Sequence, residues 1–245
     1  MTGTLSTFVR RGVVARRVVT RGGGVPVCGI AGVIALSDRG PDPSVVEHMT
    51  RHLASRGGAA WGYYVDSRVG LGIACPGVVA PDRGDQVATN EERSVHVVLD
   101  GQIHNAPQVA DGLLKAGRRF LTSTDAEVVA HAWERYGERS LDLFTGIFAL
   151  AIWDARRRRL FLAVDRMGEK RLHYAVTDTW LVFASEISAV LVHPALQSEH
   201  ELTMVPRCLT FNVDGHAAGF RSTDCNFSRP ITCHRGQAKK GGQDI

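Results

Sequence analysis

The order of apolar segments in this 245-residue chain predicts an α+β layered sandwich. Roughly seven or eight strand-like and three or four helix-like segments occur in separate runs, which argues against a doubly wound parallel sheet. The chain is long enough to bury a sizeable core, and 44% hydrophobic with 22% charged residues is typical of a globular protein. We expect one folded domain with appendages, or two small domains.

The first predicted elements lie between residues 29 and 99. Gly29 to Leu36 is a small-residue apolar run that predicts a buried strand. Asp42-Pro43 then supplies a helix cap and a first-turn proline, and an apolar residue recurs at helical spacing after it. Short strand-like segments follow at 61–66, 69–74 and 95–99, and Asp100-Gly101 predicts a turn after the last of them.

The second half predicts helices first and then strands. A helix is expected from about residue 105 to 115, and another from Thr124, whose capping box includes Glu127, to Tyr136 before Gly137. The remaining expected elements are strands at 147–153, 160–164, 172–176 and 180–184 and a short helix at 185–192.

Positive charge is concentrated at the amino-terminal end. Residues 1–27 contain five arginines and no acidic residue, whereas the whole chain has 29 basic and 25 acidic residues and a net charge of +4. Without those arginines, 24 basic residues face 25 acidic ones, a net charge of −1. We therefore expect no nucleic-acid and no membrane partner, and no apolar run reaches the roughly 20 residues of a membrane-spanning helix.

Both ends of the chain depart from the patterned region. Residues 1–27 are compatible with an Arg-rich targeting peptide, a removable propeptide, or a mis-assigned translation start. In the last case the true start is a GTG codon at the position of Val27. Residues 195–245 lack hydrophobic patterning and predict an irregular tail. Its three cysteines and His234 match no paired zinc-ligand spacing, so we expect no metal site.

The cysteines predict a reducing environment. Their number is odd, their spacing is wide, and no C-x-x-C pair or secretory leader is present. Free thiols in the cytoplasm are the simplest interpretation of Cys28, Cys75, Cys208, Cys225 and Cys233.

Four sequence blocks together resemble one family. Cys28-Gly-Ile-Ala-Gly is followed by a T-G-I-F-A-L-A-I-W-D block at 145–154, a D-R-M-G-E-K-R-L-H-Y block at 165–174 and an F-A-S-E-I block at 183–187. Over residues 28–194 the chain resembles class II glutamine amidotransferases, which are N-terminal-nucleophile hydrolases, and within them the glutaminase domain of asparagine synthetase. The resemblance implies an αββα four-layer sandwich of two antiparallel sheets.

The resemblance also implies a chemistry for Cys28. In this family the thiolate of an N-terminal cysteine attacks the side-chain amide of L-glutamine, forms a glutamyl thioester and releases ammonia. The cysteine's own α-amino group, with a pKa near 8, serves as the base. By this resemblance Cys28 is competent only when residues 1–27 are absent.

The oxyanion-binding segment of the family aligns with Asp100-Gly101-Gln102, where the family has N-G-E. Gly101 retains its backbone N–H as a donor. Asp100 replaces an asparagine and, when ionised, cannot donate a hydrogen bond, a loss that typically costs about 2.7–4 kcal/mol. By the same alignment Gln102 is expected to contact the substrate.

The resemblance also assigns substrate contacts to Arg56, Cys75 and Asp125, and at Cys75 the family's arginine is missing. Arg56 lies in a segment, S-R-G-G-A-A-W-G, that keeps the arginine and both glycines of a family loop but lacks its carboxylate. Cys75 stands where the family has the arginine that holds the glutamine α-carboxylate, and a thiol cannot form that bidentate contact. Asp125 matches the residue that binds the α-amino group of glutamine. An equally good interpretation is that its negative charge stabilises the N-terminus of a helix.

The S-G-G-x-D-S loop of synthetase domains does not occur in the sequence. The chain itself is therefore expected to use no cofactor, with ATP and Mg²⁺ acting only through a separate synthetase chain or a missing domain. Two alternatives stay open: a catalytically silent scaffold that binds a synthetase or cyclase partner, and a truncated fragment of an asparagine synthetase.

Overall fold

The computed structural model describes residues 7–10, 13–16, 28–54, 60–75, 87–196 and 232–235, with side chains for the three longest of these segments. The strands are β1 (Thr7–Arg10), β2 (Val13–Arg16), β3 (Gly29–Ala35), β4 (Ala60–Val65), β5 (Val69–Cys75), β6 (Ala88–Thr89), β7 (Val95–Ile103), β8 (Gly146–Asp154), β9 (Arg159–Val164), β10 (His173–Val176), β11 (Trp180–Ala184) and β12 (Thr232–Arg235). The α-helices are α1 (Pro43–Ala54), α2 (Ala106–Lys115), α3 (Asp125–Tyr136) and α4 (Ile187–Val190), and 3-10 helices span Gly137–Leu143 and Pro194–Leu196.

The described strands form two sheets. The first has the order β1-β2-β4-β5-β3-β11-β10, and every neighbouring pair in it is antiparallel. The second has the order β12-β9-β8-β7-β6 and is antiparallel except for the β12–β9 pair. The predicted α+β class with two antiparallel sheets is confirmed.

Three apolar clusters separate four layers. One lies between α1, α4 and the outer face of the seven-stranded sheet, and another lies between α2, α3 and the outer face of the five-stranded sheet. The third fills the space between the two sheets. This arrangement is an αββα sandwich, because each sheet buries one face against helices and the other against its partner sheet.

Strand alternation explains why β3 lies at the centre of this arrangement. Its even-numbered residues Ile30 and Ile34 pack into the cluster between the sheets, whereas Ala31 and Val33 pack under α1. Successive side chains of a strand point to opposite faces, so a strand covered on both faces must be apolar throughout. All seven residues of β3 are accordingly buried.

Glycines in β5 allow α1 to lie close to the sheet. A Cβ at Gly70 would collide with the side chain of Val46, and one at Gly72 would collide with Thr50. Thr50 in turn donates its hydroxyl hydrogen to the Val46 carbonyl within the helix, at 2.7 Å. The V-G-L-G-I pattern of this strand therefore provides the groove in which the helix lies.

A polar contact joins the two sheets at the end of β4. Asp66 accepts hydrogen bonds from the indole N–H of Trp153 on β8, at 2.8 Å, and from the hydroxyl of Tyr64, at 3.2 Å. Its other oxygen accepts the backbone N–H groups of Arg68 and Val69. One carboxylate thus closes the β4–β5 hairpin and also holds the opposite sheet.

Several predicted elements are confirmed. The strands at 61–66, 69–74, 147–153, 160–164, 172–176 and 180–184 are present, with boundaries shifted by a few residues. Helix α3 begins where the capping box predicts, because the Thr124 side chain accepts the Glu127 backbone N–H. The helix predicted at 185–192 is shorter, with α4 covering only four residues.

One expectation about these elements is wrong. The Asp100-Gly101 pair does not form a turn but lies inside β7, because β8 pairs with it residue by residue as far as Ile103. Two strands occur in the 1–27 segment, and β2 pairs with β4 to extend the first sheet. In the 195–245 segment, expected to be an irregular tail, β12 pairs with β9; the rest of both segments lies outside the described residues.

We predict that protonation of His96 destabilises the fold. His96 is 4% exposed and stacks on Tyr64 with ring centroids 3.8 Å apart. Burial lowers the pKa of His96 to about 4, an effect that Asp66 and the Arg93 carbonyl oppose and the Arg93 charge reinforces. Since an unfolded histidine titrates near 6.5, the stability contribution is complete above that pH and is lost as the pH falls towards 4.

The measurement is the free energy of unfolding by denaturant titration at about pH 7.5 and about pH 4.5, for the parent and His96→Phe. The phenylalanine keeps a stacking ring but removes the titrating group. We expect the parent to lose about 2–3 kcal/mol more than the variant between these two pH values. An equal loss in both proteins would contradict the assignment.

Candidate active site

Cys28 and Cys75 form a disulfide at the edge of the cluster between the sheets. Their Cα atoms are 4.1 Å apart, although 47 positions separate them in the sequence. The expectation of free thiols is therefore wrong for these two residues. Cys208, Cys225 and Cys233 have no described side chains.

The strand register explains why these two thiols meet. In the β3–β5 pair, Gly29 lies opposite Ala74, so the next position places Cys28 opposite Cys75. Odd-numbered residues of β3 bond to β5, as the Ala35 N–H to Arg68 carbonyl bond shows, and Ile30 bonds to Ser185 after β11 instead. Cys28 therefore stands in a non-hydrogen-bonded pair, where cross-strand side chains approach most closely.

Asp100 is buried beside the start of β3. It is 3% exposed, and its Oδ1 accepts a hydrogen bond from the Lys170 ammonium at 2.7 Å. Its Oδ2 accepts the hydroxyl hydrogen of Ser185 at 3.3 Å, and the same Ser185 oxygen accepts the Ile30 N–H at 3.0 Å. Burial raises the pKa of Asp100, while Lys170 and Ser185 lower it.

This chain of contacts brings the Asp100-Gly101-Gln102 segment to the strand that follows Cys28. Ile30 is two residues from the cysteine, and the Ser185 N–H also donates to the Ile30 carbonyl at 2.8 Å. Lys170 and Ser185 were missed as site residues in the sequence. The available signal was their position in two of the family blocks. Lys170 is the last residue of D-R-M-G-E-K, Ser185 is the third residue of F-A-S-E-I, and both side chains bond the buried Asp100 carboxylate.

Gly101 has a backbone that only glycine tolerates well. Its φ is +117°, and a Cβ there would collide with the Ile147 carbonyl oxygen. The His104 N–H bonds the Thr145 carbonyl and the Ala155 N–H bonds the Ser94 carbonyl, so even-numbered residues of β7 form the hydrogen-bonded pairs with β8. The Gly101 N–H is therefore directed away from β8.

The neighbouring strand confirms this orientation. Phe148 lies opposite Gly101 in the register, yet its N–H donates to Asp165 Oδ2 and its carbonyl accepts the Asp165 N–H on the β9 side. Neither backbone group of Phe148 is directed at Gly101. The glycine is exposed at the surface of the strand, where its N–H can meet a ligand.

Asp125 occupies the first position of α3 and is half-buried. Its Oδ2 accepts the Ile103 N–H at 2.7 Å, which ties the helix to the end of β7. Burial raises its pKa, whereas the Ile103 hydrogen bond and the charge of His104 lower it. The Asp125 carboxylate thus contacts the residue that follows Gln102 in β7, and Gln102 itself is exposed.

The other predicted site residues differ in how they are placed. Cys75 is 4% exposed and is bonded to Cys28. Arg56 lies outside the described residues, as do residues 76–86 after β5. In the part of the chain with described side chains, no group of three His, Cys, Asp or Glu residues could hold a metal ion, and no helix there has the length and apolarity to span a bilayer.

The αββα sandwich has a cysteine directly before strand β3 and a glycine with an exposed backbone on the facing sheet. A family profile described as a glutamine amidotransferase domain matches residues 27–224. The chain belongs to this family.

Curated relatives of this chain include asparagine synthetases. Asparagine synthetase [glutamine-hydrolyzing] 2 of Bacillus subtilis (strain 168) is 33% identical over 171 residues, which are 69% of this chain and 23% of the relative. The corresponding protein of Brassica oleracea is 32% identical over 148 residues, 60% of this chain and 25% of the relative. The chain is homologous to their glutaminase domains and spans about a quarter of their length.

A solved structure shows the same fold. The glutamine phosphoribosylpyrophosphate amidotransferase from B. subtilis, complexed with ADP and GMP, has a TM-score of 0.55 and 20% sequence identity. The match covers 67% of this chain and 43% of that protein. This confirms the predicted fold, while the roles of individual site residues stay predictions.

We predict that Gly101→Ala is more destabilising than an alanine at an unhindered glycine. At Gly101 the positive φ and the Ile147 carbonyl both oppose a Cβ, so we expect a loss of about 2–3 kcal/mol in unfolding free energy. Gly117 has φ +85° and nothing within 4 Å of the position that a Cβ would take, so Gly117→Ala should cost only about 1 kcal/mol. Denaturant titration of both variants measures the difference, and equal losses would show that β7 relaxes around residue 101.

Proposed function

We propose that this chain hydrolyses L-glutamine to L-glutamate and ammonia, with Cys28 as nucleophile. The observation that carries the proposal is the contact chain from Asp100 through Ser185 to Ile30, which holds the Gly101 segment against the strand that begins after Cys28. The names of its asparagine synthetase relatives include glutamine hydrolysis. They support hydrolysis over the alternative of a silent scaffold.

In the proposed reaction the Cys28 thiolate attacks the carbon of the glutamine side-chain amide. Charge then develops on the amide oxygen, and the Gly101 N–H stabilises it by a hydrogen bond. The amide nitrogen takes a proton and leaves as ammonia, so that a glutamyl thioester remains on Cys28. Water adds to the thioester, and glutamate leaves as the thiol is restored.

The proton transfers require a base beside the thiol. In our proposal the α-amino group of Cys28 takes the thiol proton and delivers it to the leaving nitrogen, since this group titrates near pH 8. The reacting protein therefore begins at Cys28. This requirement is independent of which of the three interpretations of residues 1–27 is correct.

Substrate binding is proposed to be incomplete on the carboxylate side. In this proposal Asp125 holds the substrate ammonium group, and its hydrogen bond from the Ile103 N–H keeps it next to the end of β7, where Gln102 lies. Cys75 supplies no positive charge for the α-carboxylate, and Arg56 is the cation that we propose for it. Because Cys75 cannot form the bidentate contact that the family's arginine makes with this carboxylate, a high KM is expected.

The disulfide must be open for the reaction, because a sulfur bonded to Cys75 cannot act as a nucleophile. We therefore place the active protein in a reducing compartment such as the cytoplasm, where disulfides are rare. The ammonia would serve an ATP-dependent amidation on another domain or on a separate synthetase chain. ATP and Mg²⁺ belong to that domain or chain in this proposal.

The first prediction from the proposed function concerns the nucleophile. Reduced protein beginning at Cys28 should release glutamate and ammonia from glutamine, whereas its Cys28→Ala variant should show less than about a thousandth of that kcat. A coupled glutamate dehydrogenase assay measures the rate, and mass spectrometry of quenched protein detects the glutamyl thioester. Equal rates in the two proteins would refute the assignment, and no release by the reduced parent would refute the function.

The second prediction concerns the disulfide. Oxidation removes two electrons and two protons from the Cys28 and Cys75 thiols, with oxidised glutathione as acceptor and reduced glutathione as product. We expect at least a tenfold loss of glutaminase rate on oxidation, with recovery on adding dithiothreitol.

Cys75→Ser is the matched variant for this experiment. It cannot form the Cys28–Cys75 disulfide, so its Cys28 reacts with oxidised glutathione only as far as a mixed disulfide, which keeps a bound glutathione that the parent's internal disulfide releases. Peptide mapping without reductant should find Cys28 linked to Cys75 only in the parent. A parent that is oxidised yet fully active would contradict the requirement for a free thiol.

A further inference from the structure

We infer that Lys170 is a positioning residue for this reaction, because its ammonium group neutralises the buried Asp100 carboxylate next to the Gly101 oxyanion donor. The inference rests on the proposed function and adds a residue to the same site. It also explains how a chain with a carboxylate at residue 100 can retain an oxyanion site.

The difficulty begins with the location of Asp100. Its carboxylate precedes the Gly101 N–H by one residue, so an uncompensated negative charge there would oppose a developing oxyanion. The residue is 3% exposed, so water does little to screen it. Removing a buried carboxylate from its partner is costly for the same reason.

Lys170 meets this charge directly. Its Nζ lies 2.7 Å from Asp100 Oδ1, and the two side chains are 23% and 5% exposed. At that distance, and largely removed from water, the pair is close to neutral as a unit. Ser185 donates to the other carboxylate oxygen, so the carboxylate is held by two donors rather than directed at the substrate.

A separate carboxylate determines where Lys170 lies. Asp165 accepts the backbone N–H groups of Met167 and Glu169 on Oδ1, at 3.0 and 3.2 Å. Its Oδ2 accepts the Lys170 N–H at 3.1 Å. Between them Gly168 adopts φ +68°, which lets the chain turn back towards Asp165.

The same loop is fixed to the strand opposite Gly101. Asp165 exchanges hydrogen bonds with Phe148, through its backbone N–H and its Oδ2, and Phe148 is the cross-strand neighbour of Gly101. The backbone of Lys170 and the oxyanion segment are therefore held on one frame, in which two hydrogen bonds link Lys170 through Asp165 to Phe148, the cross-strand neighbour of Gly101. This frame gives the D-x-x-G-x-K spacing a purpose beyond packing.

It follows that the need for Lys170 depends on the side chain at residue 100. With aspartate, loss of the ammonium leaves a buried charge beside Gly101. With asparagine, no charge needs to be neutralised, so the same loss should matter little. A residue that served only to fold the loop would be needed equally in both backgrounds.

The test is a double-mutant cycle on reduced protein that begins at Cys28, with Lys170→Met, Asp100→Asn and the combined variant. We expect Lys170→Met to lower kcat at least tenfold with less than a threefold change in KM. The combined variant should return to within about threefold of Asp100→Asn. Lys170→Arg should keep most of the activity, and Lys115→Met, the same substitution on the exposed end of α2, should have no effect.

The pH profile separates positioning from structure. In Lys170→Met the activity should acquire a new titration absent from the parent and from the combined variant, because Asp100 has lost its cation. Thermal unfolding of each variant shows whether it is folded, and Lys170→Gln, which also removes the charge, replaces Lys170→Met in the comparison if the latter does not fold.

The outcomes distinguish the two claims. Activity in the parent together with equal kcat losses from Lys170→Met in both backgrounds, or no loss in either, would overturn the inference and leave the proposed function standing. No activity in the reduced parent would overturn the proposed function, and the inference with it. A kcat loss confined to the aspartate background supports both.

Discussion

The face-to-face packing of two sheets is the constraint on which the rest of this structure depends. The faces that the two sheets turn towards each other are largely apolar. A polar group that reaches this interface therefore needs a hydrogen-bond partner from another residue. Asp66 and Asp100, both in the described part of the chain, are carboxylates in this situation. Asp66 accepts the Trp153 indole N–H at one end, and Asp100 holds Lys170 and Ser185 at the other.

These two contacts have different consequences. The Asp66 contact closes a hairpin and fixes how the sheets lie on each other, far along the strands from Cys28. The Asp100 contact lies at the end where β3 begins, so it also fixes the distance between the oxyanion segment and the nucleophile's strand. A change in sheet packing would therefore disturb the site even without altering a residue in it.

Two of the family blocks each contain a residue that supports the fold and a residue whose side chain bonds Asp100. In the F-A-S-E-I block, Phe183 fills the space above Gly32 between the sheets, and Ser185 bonds Asp100. In the D-R-M-G-E-K block, Asp165 organises a loop that presents Lys170. Packing and site residues are adjacent because the same strand ends serve both purposes.

Local sequence signals determined the class of fold, most of the strands and helices, and the position of Cys28. The Thr124 capping box, the alternation of β3 and the four family blocks act over a few residues, so they could be interpreted without tertiary contacts. The predicted turn at Asp100-Gly101 failed because pairing with β8 outweighed a local preference for a turn.

Tertiary structure alone decided what surrounds the nucleophile. Cys28 and Cys75 meet through a register that depends on how β3 and β5 align, and one residue of slip would place them on opposite faces. Lys170 reaches Asp100 across 70 positions of sequence. Such contacts are set by strand order and loop anchoring, and the composition of the chain carries no trace of them.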